Sequence, residues 1–209
     1  YGGTEETWNG ILNQDNDAID MGIDNPRTRI GAPFIEDYNP IDGLHEADDK
    51  TGISKMAALT ITEGRAALQD AGLIGEDGRT LNKDIVNPRR VTPIFGSGYG
   101  PSALAVEIEN VRKEKGAGKI PLSLALGMFP EQPNSRFAMA VGIKGKKPIN
   151  NVGACAASSM SVDYGISVIR QGWSDVVVIN VSETVVGTHA ELVNGSFGGI
   201  SFSFISTNK

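Results

Sequence analysis

The sequence has few of the residues that build disulfide and metal sites. Its 209 residues include one cysteine, Cys155, and two histidines, His45 and His189. A single cysteine excludes an internal disulfide framework, and no group of residues has the ligand spacing of a zinc site. We therefore expect neither a metal nor a disulfide scaffold, and we read His45 as an exposed loop residue.

Excess positive charge and long apolar runs are also lacking. The chain has 19 Lys and Arg against 25 Asp and Glu, a net charge of −6. This balance argues against nucleic acid or an anionic membrane surface as a partner. No apolar run reaches the roughly eighteen residues of a membrane-spanning helix, and neither end resembles a signal peptide. We therefore expect a cytoplasmic protein with no nucleic-acid or membrane partner.

Short apolar runs alternate with helical patterns along the chain. A helix is predicted to begin at Thr4, and the strongest patterns predict strands and helices in alternation, which favours an α/β domain with a mainly parallel sheet. The segment 120–141 carries Pro130 and Pro133 and predicts no single element. The predicted strands are 91–95, 149–152 and 176–181, and the predicted helices are 53–73, 102–115 and 156–171.

Two of these segments carry predictions about burial. In the helix 156–171, Met160, Ile166 and Ile169 are predicted to be core residues. The nearly continuous apolar run 176–181 is typical of a strand covered on both faces.

The lone cysteine lies between a predicted strand and a predicted helix. A lone cysteine is more often a small buried hydrophobe than a nucleophile. Here, however, Gly153 and Ala154 precede Cys155 and a helix follows it, which is the arrangement of a nucleophile elbow. The helix N-terminus favours the thiolate that attacks acyl carbonyls, and the Cys155 N–H is placed to serve an oxyanion hole. The pattern leaves both a structural and a catalytic Cys155 open.

The stretch around Cys155 resembles the active-site stretch of β-ketoacyl synthases. It comprises NVGACAASS at 151–159, then Gly165, Gly172, DVVV at 175–178 and Glu183. Other motifs of that family occur in the same order along nearly the whole chain. They are GTEETW at 3–8, AALQDAGL at 66–73, GSGYG at 96–100, GSFG at 195–198 and ISTN at 205–208.

This resemblance implies the thiolase-like fold, an α/β fold with α-β-α-β-α layers and two similar halves. It implies that residues 1–209 form the N-terminal half, without the family's first strand and its C-terminal half, around a mixed, largely parallel five-stranded sheet. The two catalytic histidines of the family would lie in the other half, and His45 and His189 match neither of them. We expect the 209 residues alone to be inactive or to aggregate.

The resemblance also implies an activity and its partners. Cys155 would accept an acyl group from an acyl carrier protein or acyl-CoA, and decarboxylation of a malonyl thioester would supply the attacking enolate. The pathway would be fatty acid or polyketide synthesis, with no cofactor and no metal. Homologues dimerise through the strand before the nucleophile, so a homodimer or heterodimer is expected through Ile149, Asn150, Asn151 and Val152.

The other candidate site residues fall into two groups. Tyr99 and Phe197 are expected to line the acyl pocket, and Tyr99 stands where the family usually has a smaller residue, which predicts a preference for short or medium acyl chains. Support of the active site is expected from Gly96, Gly98, Gly153, Ala154 and Glu183. Tyr99 could instead point outward, and Phe197 could be a core residue.

Two other functions remain open. The chain could be a non-catalytic chain-length partner of the same fold, although such partners usually replace the nucleophile. It could also be another thiolase-fold acyltransferase, since initiating enzymes share the elbow.

Overall fold

The computed structural model describes residues 4–14, 19–20, 30–31, 39–101, 103–145 and 148–183. The chain divides into two compact units, one of residues 1–36 and 186–209 and one of residues 37–185. The first unit contains helix α1 (Thr4–Asn13), as predicted, and the antiparallel pair of two-residue strands β1 (Ile19–Asp20) and β2 (Ile30–Gly31).

The second unit alternates helices and strands, as the sequence predicts. Its helices are α2 (Lys55–Asp70), α3 (Ala103–Lys115), α4 (Leu122–Gly127), α5 (Gln132–Val141) and α6 (Ala157–Arg170). Its strands are β3 (Val91–Ser97), β4 (Ile149–Val152) and β5 (Val176–Val181). Short 3-10 turns cover Pro40–Gly43, Pro88–Arg90, Ala117–Lys119 and Ala154–Ala156.

The sheet of this unit is parallel, with the strand order β4-β3-β5. Every residue of the central strand β3 is buried. Within the described residues this sheet has three strands, so the predicted count of five is not observed there. The fold class is as predicted: α/β with a parallel sheet.

The two faces of the sheet carry different helices. Val178 of β5 packs in the core with α2 and α5, through residues such as Ala57, Ile61 and Phe137. Because successive strand residues point to opposite faces, Val177 and Ile179 point the other way, where Gly165 of α6 lies against them. The sheet is therefore sandwiched between α2 and α5 on one face and α6 on the other.

The predicted core face of α6 is wrong. Met160, Ile166 and Ile169 are 40–45% exposed. The residues that α6 buries are smaller: Ala157, Ser161, Gly165 and Val168. They are spaced at helical intervals and let the helix approach the sheet closely. The expected cover on both faces of β5 is also not observed within the described residues, because Ile179 is 37% exposed and Val181 is 47% exposed.

The proline-containing segment that predicts no single element forms two helices. Pro133 lies in the first turn of α5, where the missing N–H removes no helical hydrogen bond. Helix α5 ends at Gly142, whose φ of 77° gives a left-handed cap. Pro130 falls between α4 and α5, so each proline marks a helix boundary.

A buried ion cluster joins the loop before α2 to the helix. The Asp48 carboxylate accepts from Arg65 Nη2 at 3.0 Å and from Arg79 Nε at 3.1 Å, and also from the His45 N–H at 3.0 Å. The Asp48 side chain is 1% exposed, and that of Arg65 is 10% exposed. The cluster therefore provides the hydrogen bonds that a buried carboxylate needs.

The described residues contain neither a membrane-spanning helix nor a metal-binding cluster. No helix there is long and apolar enough to cross a membrane. No group of three or more His, Cys, Asp or Glu side chains there could hold a metal ion.

Candidate functional site

Cys155 lies on a tight connection between strand β4 and helix α6. The strand ends at Val152, the 3-10 turn Ala154–Ala156 follows, and α6 begins at Ala157. The Cys155 side chain is exposed. Ala154 has a φ of +48°, one of two non-glycine residues described with positive φ. The sequence prediction of a strand, a tight turn and a helix around Cys155 therefore matches the backbone of this segment.

Hydrogen bonds hold this turn in its left-handed conformation, which costs a non-glycine residue roughly 1–2 kcal/mol. The Gly153 N–H donates to Ser97 O at 3.2 Å, which ties the start of the turn to β3. The Ala156 N–H donates to Gly153 O at 3.1 Å, and the Ala157 N–H donates to Ala154 O. The turn is thus fixed to the sheet on one side and closed on itself on the other.

Gly96 allows the first turn of α6 to sit directly on the central strand. A methyl group added at Gly96 would lie 2.7 Å from Ser161 Oγ and 2.9 Å from Ala157 O. Both contacts are closer than a Cβ tolerates, and one is to backbone. At Gly153 an added methyl would lie 2.8 Å from the movable Met160 Sδ, 3.0 Å from Asn151 Oδ1 and 3.4 Å from Ala157 Cα. Gly96 is therefore needed for the close approach of α6 to β3, and Gly153 is less tightly confined.

Glu183 joins the end of β5 to the glycine-rich loop at residues 97–100. Its Oε2 accepts from the Tyr99 N–H at 2.9 Å and from Ser97 Oγ at 3.2 Å. Ser97 Oγ in turn accepts from the Gly100 N–H at 2.8 Å. A methyl group added at Gly98 would lie 3.0 Å from Glu183 Oε2 and 3.8 Å from Ala154 Cα. The loop, the carboxylate and the cysteine turn are therefore neighbours at the carboxyl edge of the sheet.

A buried polar pair lies beneath the cysteine turn, and the sequence patterns missed it. Asn151 is 7% exposed and Ser161 is fully buried. Asn151 Nδ2 donates to Ala157 O at 3.0 Å and to Ser161 Oγ at 2.7 Å, and Ser161 Oγ donates to Ala157 O at 2.8 Å. An asparagine within a short strand run is a weak signal, because strands with one exposed face carry such residues routinely.

The structure brings most of the predicted site residues together around Cys155. Gly153 and Ala154 form its turn, Gly98 lies beside Ala154, Gly96 lies beneath the first turn of α6, and Glu183 binds the loop that holds Gly98. The roles assigned to them remain predictions.

The two predicted pocket residues have different outcomes. Tyr99 is 55% exposed, and its place in an acyl pocket stays a prediction. Phe197, together with His189 and the motifs after residue 183, lies outside the described residues.

The predicted interface strand β4 pairs with β3 along one edge. Among the described residues, no strand pairs with its other edge. Val152 is 52% exposed, whereas Asn151 points inward. The interface itself stays a prediction.

The described carboxylates with clearly shifted pKa values are Asp49, Asp77, Glu109 and Asp175, which belong to other segments. Hydrogen bonds, above all from the Thr80 hydroxyl, lower the pKa of Asp77 to about 2. The hydrogen bonds from Arg90 lower the pKa of Asp175. At the Cys155 edge of the sheet, the Glu183 carboxylate binds the loop 97–100, and the N-terminus of α6 begins without a side-chain cap.

Comparisons with known proteins agree with this geometry. The family described as "Beta-ketoacyl synthase, N-terminal domain" matches residues 4–200. The ishigamide ketosynthase/chain length factor structure is similar with a TM-score of 0.76 at 18% identity, covering 95% of this chain and 47% of that one. A search of curated proteins found no match.

Two further solved structures share the fold at lower coverage. A β-ketoacyl synthase from Burkholderia phymatum STM815 gives a TM-score of 0.62 at 16% identity, covering 81% of this chain and 40% of that one. A type II polyketide synthase structure, AntDE:AntF, with an acyl-carrier protein in complex with its ketosynthase, gives 0.60 at 17% identity, covering 79% and 44%. The chain thus spans less than half the length of these solved relatives.

Proposed function

The chain belongs to the β-ketoacyl synthase family, and from that membership we propose that Cys155 is the acyl-accepting nucleophile of a β-ketoacyl synthase. The observation that carries the proposal is the exposed Cys155 on a turn whose preceding residue, Ala154, is left-handed. Such a turn presents a side chain away from its own backbone, as nucleophile elbows do. The turn lies at the carboxyl ends of the three parallel strands. Open α/β sheets bind their ligands at this edge.

The first chemical step is a thioester exchange. Cys155 Sγ attacks the carbonyl carbon of an acyl thioester, the carbonyl oxygen becomes a tetrahedral oxyanion, and its collapse expels the carrier thiolate, which takes up a proton. The N–H groups of Ala156 and Ala157 are engaged within the turn. The Cys155 N–H is therefore our candidate oxyanion donor, and loss of such a donor costs about 3–4 kcal/mol.

The second step is decarboxylative condensation. A malonyl thioester loses CO₂, the resulting enolate carbon attacks the acyl carbon on Cys155, and the cysteine thiolate leaves as the β-ketoacyl thioester forms. Family resemblance assigns two histidines to this step. His45 is not suited to it, because its Nδ1 accepts from the Ala47 N–H at 3.1 Å within its own loop. We propose that these histidines come from a further segment or a partner chain.

Partners follow from the same resemblance. An acyl carrier protein or acyl-CoA would deliver the acyl group, and β4 would form a dimer interface. The AntDE:AntF structure contains an acyl-carrier protein with its ketosynthase. Tyr99 and Phe197 remain our candidates for the acyl pocket. Faster loading of a lauroyl than of a butyryl thioester would contradict the proposed preference for shorter chains.

A non-catalytic chain-length partner is the second candidate. It is favoured by the ishigamide structure, which contains a chain length factor. The presence of Cys155 favours the catalytic function, since such partners usually replace that residue.

Acyl loading separates the two functions. The protein, isolated with every polypeptide that copurifies with it, is incubated with a butyryl thioester and then digested with a protease. The mass of the peptide that contains Cys155 is measured by mass spectrometry. A catalytic chain gains one acyl group on that peptide, and Cys155→Ala abolishes the gain. Because Cys155 is the sole cysteine, no other thiol of the chain can confuse the result. An unmodified Cys155 that still reacts with iodoacetamide would favour the chain-length partner.

A further inference from the structure

The buried side chain of Asn151 connects strand β4 to the first turn of helix α6. Asn151 lies four residues before Cys155 and is the last buried residue of the strand. Its Nδ2 donates to Ala157 O at 3.0 Å and to Ser161 Oγ at 2.7 Å. Both acceptors belong to α6. The residues between strand and helix, with Cys155 among them, are therefore spanned by a side-chain connection.

Ser161 completes a closed set of three hydrogen bonds. Its hydroxyl donates to Ala157 O at 2.8 Å while it accepts from Asn151. Ala157 O thus has two donors, and all three groups are excluded from solvent. Asn151 Oδ1 is also buried and has no hydrogen-bond partner among the described residues, so the set closes only through Asn151 Nδ2, Ser161 Oγ and Ala157 O. Hydrogen bonds among such buried groups restrain their surroundings, since water cannot replace a lost partner.

Two glycines leave this cluster almost no room to move. Gly96 of β3 lies against both Ser161 Oγ and Ala157 O, and a methyl added at Gly153 would lie 3.0 Å from Asn151 Oδ1. The cluster is therefore packed from below by the central strand and from above by the cysteine turn itself. A shift of Asn151 would have to move one of these backbones.

We propose that Asn151, acting with Ser161, is a positioning residue that fixes the turn bearing Cys155 relative to the sheet. This inference rests on the proposed function for its catalytic consequence, because Asn151 does not itself reach the reacting atoms. Acyl transfer needs both Sγ and the oxyanion N–H in place, whereas alkylation by iodoacetamide needs only an exposed thiol. Loss of Asn151 should therefore reduce acyl transfer much more than alkylation.

A matched control exists on helix α5, which contacts the other end of the same strand. Asn134 is also fully buried, and its Nδ2 donates to Pro93 O at 3.2 Å and Ile149 O at 3.0 Å. It therefore bonds sheet carbonyls, as Asn151 bonds a helix carbonyl, but at the opposite end of β4 from Cys155. Asn134→Ala should lower stability without disturbing the turn.

The experiment compares Asn151→Ala, Ser161→Ala and Asn134→Ala with the unmodified protein, isolated with its copurifying polypeptides. Three quantities are measured: amide hydrogen exchange of the peptide spanning 153–161, acylation of Cys155 by a butyryl thioester, and its alkylation by iodoacetamide. In Asn151→Ala we expect faster exchange and a ratio of acylation to alkylation reduced by about tenfold or more. Ser161→Ala, which keeps the asparagine, serves if Asn151→Ala does not fold, and its effect should be smaller in the same direction.

Each outcome decides a separate point. Unchanged exchange over 153–161 in the Asn151 variant would overturn the inference, whether or not acylation occurs. An equal fall of the ratio in Asn134→Ala would also overturn it, because the effect would then be general destabilisation. If the unmodified protein is never acylated, the proposed function fails, while hydrogen exchange still decides whether Asn151 fixes the turn.

Discussion

At the scale of single residues, Gly96 is a position where one added methyl group should disturb the packing beneath the Cys155 turn. Gly96→Ala places a methyl group 2.9 Å from the backbone oxygen of Ala157 and 2.7 Å from Ser161 Oγ. Since backbone cannot rotate away, α6 must shift, and overpacking of this kind costs about 1–3 kcal/mol. Urea denaturation of the variant measures this loss.

Gly98→Ala is the matched control for Gly96. Its added methyl meets the far end of the Glu183 side chain at 3.0 Å, and Ala154 Cα only at 3.8 Å. A flexible side-chain end can move by a few tenths of an ångström, so the stability loss should be clearly smaller. A larger loss for Gly98→Ala than for Gly96→Ala would contradict the packing described for α6.

Asp48 carries the second residue-scale prediction. Asp48→Ala leaves Arg65 buried without the carboxylate that both of its 3.0 Å hydrogen bonds reach. Removing one partner of a buried ion pair costs about 3–5 kcal/mol, and denaturant titration should show a loss of that size. The control is Asp175→Ala, which breaks an exposed pair with Arg90. If the two substitutions cost the same, burial does not distinguish the clusters.

The sequence predicts the turn that carries Cys155 better than it predicts the buried hydrogen bonds that fix this turn. Glycine and alanine before a cysteine, between a β-rich run and a helix, are visible in one dimension. Asn151, Ser161 and Asn134 are not, because their function depends on which carbonyls the fold brings within reach of an amide. Polar residues look alike in sequence whether they face water or a buried acceptor.

At the scale of elements, the connection between α2 and β3 carries Asp77, whose carboxylate should make the stability of the fold depend on pH. The Thr80 hydroxyl and the N–H groups of Thr80 and Arg79 donate to Asp77, and they lower its pKa from 3.8 to about 2. A lowered folded-state pKa stabilises the fold above the unfolded pKa, and the contribution disappears as pH falls through the folded value. The loss should therefore occur between about pH 4 and pH 2.

An NMR titration that follows the carboxyl carbon of Asp77 measures its pKa in the folded protein directly. Asp77 should titrate near pH 2 in the unmodified protein. Thr80→Val removes the hydroxyl donor, which makes the largest contribution to the shift. The titration of Asp77 should then move upward, toward its usual value. An unchanged titration in Thr80→Val would show that the hydroxyl is not the main cause.

The strands and helices follow from the sequence where residue type and hydrophobic period indicate the same structure. They do not follow where packing against another segment determines the helix boundary or the buried face. The three parallel strands follow from β-branched runs, and β4 and β5 have the predicted bounds. Helices α4 and α5 were missed because Pro130 and Pro133 read as breakers, whereas prolines at helix boundaries are compatible with helix. In α6, the large apolar side chains gave the wrong buried face, because periodicity does not show which face another segment covers.

At the scale of the whole molecule, the predicted interface through β4 can be tested by cross-linking. One edge of β4 is paired with β3, and an unpaired edge is a template for another strand. In a Cys155→Ser background, the cysteine introduced by Asn150→Cys is the sole thiol of the chain. If β4 pairs with its copy, mild oxidation should give a disulfide-linked dimer on non-reducing gels.

The control places the thiol away from β4. Glu114→Cys in the same background introduces an exposed cysteine near the end of α3, and it should remain monomeric at the protein concentration that cross-links Asn150→Cys. Equal cross-linking of both variants would indicate random collision. If neither variant cross-links while a second polypeptide copurifies, the strand edge of β4 is occupied by that polypeptide. A heterodimer would then replace the homodimer as the proposed assembly.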